Sequence, residues 1–349
     1  MRLPKFLRNH PSPVRDILPA IQDALERQKP FAWARVVTTW GSAPRRPGAA
    51  MIVVAPDDYA GSVSGGCVEH AVIDEALASL VTGRPQILDY GIRDETAWSA
   101  GLSCGGRLRV LVEPFPACSL EPGVRNAGRS LLLALNEDRP VVLATPLVGD
   151  ASPRLVDEGG PLASAAAVCL ATREPAEVDN GEIRWFLHPF PSRDRLVIVG
   201  GSDIAVHLIP LAHAVEFETI LIDPRRVLAD GRRFQVKPDR LFVESPESAL
   251  RRLGVTDTTY AVLLTHEPSV DDPALHALLA GPARYIGALG GKKTQESRRE
   301  RLRAAGYDEE TIARIDGPVG VPIGAATPAE IAVSIVARLV EARRGAPVR

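Results

Sequence analysis

Apolar residues at Val14, Ile17, Leu18, Ile21, Ala24 and Leu25 recur at helical spacing, so the pattern predicts an amphipathic helix over 14–29 that tolerates Pro19. Two β-rich runs follow, 32–39 and 50–55. They are separated by Gly41-Ser42-Ala43-Pro44-Arg45-Arg46-Pro47-Gly48, a turn-forming stretch that projects two arginines. A short strand over 59–63 leads through Ser64-Gly65-Gly66 into a helix over 67–80 with Ala71, Ile73, Ala76, Leu77 and Leu80 apolar. Strands over 86–90 and 108–112 flank a polar loop at 93–99, and helix, strand and hairpin signals continue from 124 to 187.

The pattern changes after Pro189-Phe190-Pro191-Ser192, whose prolines are expected to end the preceding strand and form a linker. Beyond it, strands over 196–199, 219–222, 241–243, 261–264 and 285–288 alternate with helices over 204–214, 246–253 and 273–279. Such βαβ alternation predicts a doubly wound parallel sheet. The last helix carries its own start signal, with Thr327 as cap, Pro328 at the first helical position and Glu330 closing a capping box. The expected fold class is therefore α/β, with an α+β domain over 1–190 and a doubly wound parallel-sheet domain over 191–349, which the family resemblance given below implies to be Rossmann-like.

A chain of 349 residues exceeds one ordinary core, which agrees with two domains. With 45% hydrophobic and 24% charged residues it has the balance of a folded globular protein. The net charge of −2, with Lys and Arg dispersed, offers no basic face for nucleic acid. Residues 1–16 are basic but broken by Pro4, Pro11 and Pro13, and no long apolar run follows. The expectation is a cytoplasmic protein without membrane attachment.

In a doubly wound sheet the ligand crevice lies at the carboxyl ends of the strands. The first strand there ends in Gly200-Gly201-Ser202-Asp203, in which Ser202 replaces the second glycine of a dinucleotide fingerprint and Asp203 would repel a phosphate. The second ends in Asp223-Pro224-Arg225, where the acid suits a ribose hydroxyl and the arginine a phosphate. Later strands end in Thr265-His266 and in Gly290-Gly291-Lys292-Lys293, so a histidine and a cationic, glycine-rich helix entry face the same crevice. Taken singly, these features are tight turns and solvated charges. Their convergence on four strand ends predicts an anion-accepting, nucleotide-like ligand.

The four cysteines, Cys67, Cys104, Cys118 and Cys169, lack the spacing of a zinc site or a secreted scaffold. Cys67 and Cys104 adjoin glycine pairs, in Ser64-Gly65-Gly66-Cys67-Val68-Glu69 and Gly101-Leu102-Ser103-Cys104-Gly105-Gly106, loops expected to expose backbone N–H groups. A cysteine at a helix start favours the thiolate, the form that ligates a soft or high-valent metal, and Cys67 fits that position better than Cys104. The bland alternative for either is a small buried hydrophobe, and Cys118 and Cys169 are assigned to it.

Gly41-Ser42-Ala43-Pro44-Arg45, Gly61 to Glu69 and Gly101 to Gly106 resemble the N-terminal motifs of the XdhC/CoxI family. Thr265-His266, Tyr285 to Gly290 and Thr327 to Ala332 resemble its C-terminal half. Two turns depart from that pattern: Gly200-Gly201-Ser202-Asp203 stands where a G-x-G-H-like turn is usual, and Gly290-Gly291-Lys292 where a Gly-Ser-Arg-like turn is. The resemblance implies a xanthine dehydrogenase accessory protein of purine catabolism, more chaperone than catalyst. Such a protein binds molybdenum cofactor (molybdopterin, a pterin dithiolene with a phosphate tail) and inserts it into a xanthine-dehydrogenase-like molybdenum hydroxylase. A sulfurating cysteine desulfurase and a second copy of the chain are further expected partners, and a nucleotide a further ligand.

The candidate cofactor-binding residues are Arg45, Gly65, Gly66, Cys67, Glu69, Cys104, Gly105, Gly106, Gly200, Gly201, Asp223, His266, Gly290 and Lys292, with Cys67 as metal ligand and no catalytic residue. Two other readings are an NAD(P)-dependent oxidoreductase with a degenerate fingerprint and a scaffold that binds only protein.

Overall fold

The computed structural model describes residues 17–42, 45–91, 106–115, 122–148 and 151–345, and this chain divides between Ser192 and Arg193 into two compact units.

In the first unit, helix α1 (Leu18–Glu26) precedes β1 (Ala32–Trp40), β2 (Ala50–Ala55), β3 (Asp58–Gly61), α2 (Glu69–Thr82), β4 (Gln86–Tyr90) and β5 (Arg107–Pro114). The strands form an antiparallel sheet in the order β3-β2-β1-β5-β4. Period-two alternation sorts the faces of β1. Ala32, Ala34 and Val36 pack with Val72, Ile73 and Ala76 of α2, whereas Phe31 and Trp33 pack with Leu131 and Leu135 of α3 (Pro122–Asn136). A second antiparallel sheet, in the order β7-β6-β9-β8, comprises β6 (Val141–Val148), β7 (Arg154–Leu155), β8 (Ala176–Asp179) and β9 (Arg184–Phe190). Its Leu143 and Phe190 join Phe31 and Trp33 in one cluster, so the sheets face each other across a shared core. On its other face Ala144 and Leu187 meet Ala166 and Cys169 of α4 (Ala163–Thr172).

Two local expectations are corrected here. Helix α2 begins at Glu69, two residues after Cys67, because the glycine loop continues to Val68. Pro189 does not end its strand: it lies inside β9, opposite Val142. Pairing with β8 stops at Leu187, so at Pro189 the strand has one hydrogen-bonding neighbour, the edge situation in which proline is accommodated.

The second unit contains β10 (Arg195–Val199), α5 (Asp203–Ala214), β11 (Glu218–Ile222), β12 (Arg240–Phe242), α6 (Pro246–Leu253), β13 (Thr259–Leu263), α7 (Pro268–Ala280), β14 (Tyr285–Ala288), α8 (Lys292–Ala304), α9 (Glu309–Ile312), β15 (Ile315–Asp316) and α10 (Pro328–Arg344). All strand pairs are parallel, in the order β12-β11-β10-β13-β14-β15, which is the Rossmann arrangement. Helices α5 and α10 cover one face through Leu208, Ala212, Ile335 and Leu339; α6, α7 and α8 cover the other through Leu250, Leu275, Leu278 and Leu302. The Thr327–Glu330 capping box forms as its sequence signature requires. The winding direction reverses between β10 and β13, and their carboxyl ends place Gly200 and Thr265 side by side. Among the described residues no helix is long and apolar enough to cross a membrane.

Candidate functional site

The loop from Ser62 to Val68 joins β3 to α2 and turns back on itself through positive φ at Gly65 (78°) and Gly66 (110°). The turning-in aims successive N–H groups at one point, a geometry that binds an anion. That anion is the Glu69 carboxylate. Its Oε1 accepts from Ser62 Oγ (2.6 Å) and from the amides of Val63 (3.2 Å), Ser64 (2.9 Å) and Gly65 (3.1 Å). Its Oε2 accepts from Ser64 Oγ and from the amides of Gly66 (2.8 Å) and Val68 (3.3 Å). Burial pushes its pKa up, but the Ser62 and Ser64 hydroxyls and the Ser64 amide outweigh that and hold it at about 2. Buried Ser64 Oγ in turn accepts from the amides of Cys67 (2.9 Å) and Val68 (3.0 Å), the two residues that lead into α2.

The glycine loop therefore does not offer its N–H groups to a ligand, as its sequence suggested; Glu69 and Ser64 occupy them. The half-buried Cys67 of this loop borders the core cluster containing Val63, Val68 and Val72. Arg45 is half-buried in the turn between β1 and β2. Gly106 is buried at the entry to β5, where a Cβ on Gly91 would come within 2.3 Å of its carbonyl oxygen. Cys104, Gly105 and Cys118 lie outside the described residues. Cys169 is core, and burial pushes its thiol up to about 11.

In the second unit the sequence-predicted crevice is partly filled by the protein itself. A Cβ on Gly200 would stand 2.5 Å from Thr265 Cγ2, and one on Gly201 would stand 2.2 Å from the Leu228 carbonyl oxygen. These glycines thus permit close packing between strand ends. Asp223 is fully buried; it accepts from the Gly201 amide (2.8 Å), from the Arg225 amide (2.9 Å) and, in bidentate fashion, from the Arg225 guanidinium (2.9 Å at each oxygen). Burial pushes its pKa up and the Arg225 guanidinium outweighs that, so the net direction is down. Arg225 also reaches Glu267 (2.6 Å), so a chain of charges crosses the β10 turn from the end of β11 to the loop after β13. Arg233 pairs with Asp203 (2.8 Å) and donates to the Gly201 carbonyl. A ribose hydroxyl would have to displace these partners from Asp223.

The other strand ends remain open. His266 is exposed, as are Gly291, Lys292 and Lys293. Helix α8 starts at Lys292 behind Gly291, which provides no side-chain cap, so its first-turn N–H groups and two ammonium groups face outward. Gln295 fixes this entry by donating to the carbonyls of Ala288 and Gly290 (2.9 Å each). Beneath it lies a buried network that the sequence reading missed. Arg298 pairs with Asp271 (3.1 Å) and donates to the Leu289 carbonyl (3.1 Å), while Thr265 donates to the other Asp271 oxygen. Thus α7 and α8 are tied to the ends of β13 and β14. Arg298 is one of four arginines in α8 and has no sequence mark that separates it from its exposed neighbours.

The chain thus joins an α+β unit with a cysteine-bearing glycine loop to a Rossmann-type unit with a cationic helix entry. Residues 24–91 match the family model described as the XdhC and CoxI family, and residues 196–339 match the one described as the XdhC Rossmann domain. The chain belongs to the XdhC and CoxI family. It is 24% identical over 322 residues to a protein of Escherichia coli K12 described as the uncharacterized protein YqeB, covering 92% of this chain but only 45% of that one. It is 27% identical to a probable xanthine dehydrogenase subunit of Bacillus subtilis, over 92% of this chain and 95% of that protein. It is 29% identical to the molybdenum cofactor insertion chaperone PaoD of Escherichia coli K12, over 94% of this chain and 88% of that protein. The crystal structure of a xanthine dehydrogenase from Bacillus halodurans is similar with a TM-score of 0.76 at 25% identity, covering 94% of this chain and 96% of that one.

Two outcomes follow from the geometry. Because Glu69 is depressed from 4.5 to about 2, its stabilisation is complete above about pH 4.5 and is lost as pH falls towards 2. In urea titrations at successive pH values, Glu69→Gln should be less stable at pH 6 and show a flatter decline across that window; parallel curves would contradict the carboxylate's role. Arg298→Met leaves Asp271 as a buried unpaired charge and should cost the second unit roughly 3–5 kcal/mol in the same assay. A loss below about 1 kcal/mol would show that the network is not structural.

Proposed function

We propose that this protein is a cytoplasmic accessory factor that binds molybdenum cofactor through Cys67 and delivers it to a xanthine-dehydrogenase-like molybdenum hydroxylase. The observation that carries this reading is the loop in which Glu69 gathers the amides on both sides of Cys67 and so fixes the backbone that carries this half-buried cysteine. Among the described residues no three His, Cys, Asp or Glu side chains gather into a metal site. A single sulfur ligand suits a metal that arrives with its remaining ligands, as molybdenum does in its dithiolene. The names of the relatives, a molybdenum cofactor insertion chaperone and a probable xanthine dehydrogenase subunit, support the same cargo and client.

In this reading the α8 entry, with Gly290, Lys292 and its uncapped first turn, is an anion site of the second unit in its own right, and exposed His266 adds a donor. Gly65, Gly66 and Glu69 act on the cofactor through Cys67, whose loop they shape. Gly200, Gly201 and Asp223 act by holding the strand ends. A cysteine desulfurase that sulfurates the molybdenum is a proposed further partner.

The test is Cys67→Ser, purified after co-expression with cofactor biosynthesis and assayed for bound molybdenum and for activation of cofactor-free client. The variant should fold normally, retain roughly ten-fold less molybdenum and activate the client correspondingly poorly. Equal molybdenum content in variant and wild type would remove Cys67 from the site.

A further inference from the structure

A second constellation lies in the first unit, at the other end of α2. A cavity of about 590 Å³ is bordered by the last turn of α2, and Glu113 of β5 and Thr145 of β6 are among its lining residues. The helix has 14 residues, so this cavity and the Cys67 loop are separated by roughly 20 Å. One cofactor molecule held at Cys67 does not span that distance.

Glu113 is 5% exposed and Thr145 1% exposed, and both are set by one guanidinium. Arg35 is fully buried, with its Cζ 4.1 Å from the centroid of the Trp33 ring. Its Nη2 donates to Glu113 Oε1 and to Thr145 Oγ1 (2.9 Å), whereas its Nε and Nη1 have no partner among the described residues. Trp33 Nε1 donates to the same Glu113 oxygen (3.0 Å). Among the described residues the hydrogen bonds to Glu113 fall on Oε1, and Glu113 lines the cavity. Thr145 accepts from Arg35 with a lone pair, which leaves its hydroxyl proton to donate.

A carboxylate and a hydroxyl donor held by one guanidinium nitrogen are the complement of an N–H group next to a carbonyl. The carbonyl end of α2 also lies at this cavity and favours a donor-bearing ligand. Pro30, Pro85, Pro114, Pro146 and Pro153 line the cavity with rigid apolar surface suited to a flat ring. We infer that this cavity is a second small-molecule site, distinct from the Cys67 loop, that binds a planar bicyclic heterocycle through a lactam edge presented to Glu113 and Thr145. Purines and pterins share that edge.

The test is titration of the full chain with xanthine as the purine probe and pterin-6-carboxylate as the pterin probe, followed by calorimetry or pterin fluorescence. At least one probe should bind saturably, and the tighter one identifies the source. A fully N-methylated xanthine, which has no N–H to offer Glu113, should fail to compete. Thr145→Val and Glu113→Gln should each weaken binding by about ten-fold or more, the effect of losing a hydrogen bond at a charged, buried site. Both substitutions touch the Arg35 pair, so Ser152→Trp, which fills the cavity from an exposed lining position, supplies an independent arm. It should abolish binding with the unfolding midpoint unchanged. Saturable binding of neither probe, equal competition by the methylated xanthine, or wild-type affinity in Ser152→Trp would each overturn the inference. Molybdenum retention measured on Ser152→Trp separates this site from the proposed function, because it should equal that of the wild type whether or not the probes bind.

Discussion

The carboxylate of Glu69 gathers two serine hydroxyls and five backbone amides around itself, and the loop that carries Cys67 takes its shape from that internal anion. A glycine-rich segment that curls through positive φ concentrates N–H dipoles on its concave side, and an empty concavity of this kind would cost the fold several unsatisfied donors. By filling it from the first residue of the following helix, the chain fixes the loop without a ligand. Ser64 completes the arrangement by accepting from the amides of Cys67 and Val68. The cost is that this loop has no amide left for a phosphate.

The second unit repeats that solution on a larger scale. Its switch point has the strand order of a dinucleotide fold, yet Leu228, Arg225 and Arg233 occupy the ground that a pyrophosphate and ribose would use. The open ground has shifted to the entry of α8, where uncapped amides and two lysines face outward above the buried Arg298–Asp271 pair. The same sheet therefore presents a phosphate-type handle without the rest of a dinucleotide site.

Much of this fold is written in local patterns. Helix α6 and strand β14 occupy the residues that periodicity predicts, and the Thr327–Glu330 box starts α10 because its cap chemistry is self-contained. The failures have physical causes. Pro189 reads as a strand end, but β9 carries it where β8 has stopped pairing. Pro273 reads as a helix start, but Pro268 already serves that role for α7. Two-residue β15 is too short to show alternation. At the site, the residue types at Cys67, Glu69 and Asp223 were legible whereas their partners were not. A carboxylate that serves its own loop and one that awaits a ligand have the same sequence, and which it is depends on where Ser62, Arg225 or Leu228 fold back. Arg298 and Arg35 are invisible for the complementary reason: a buried arginine is specified by what surrounds it in space.

The central claim, that the Glu69-organised loop offers sulfur to a metal that brings its other ligands, is tested most directly by X-ray absorption at the molybdenum edge of protein loaded with cofactor. The account predicts a protein-derived sulfur in the molybdenum coordination sphere that disappears in Cys67→Ser. Identical spectra for wild type and variant, at equal loading, would contradict it.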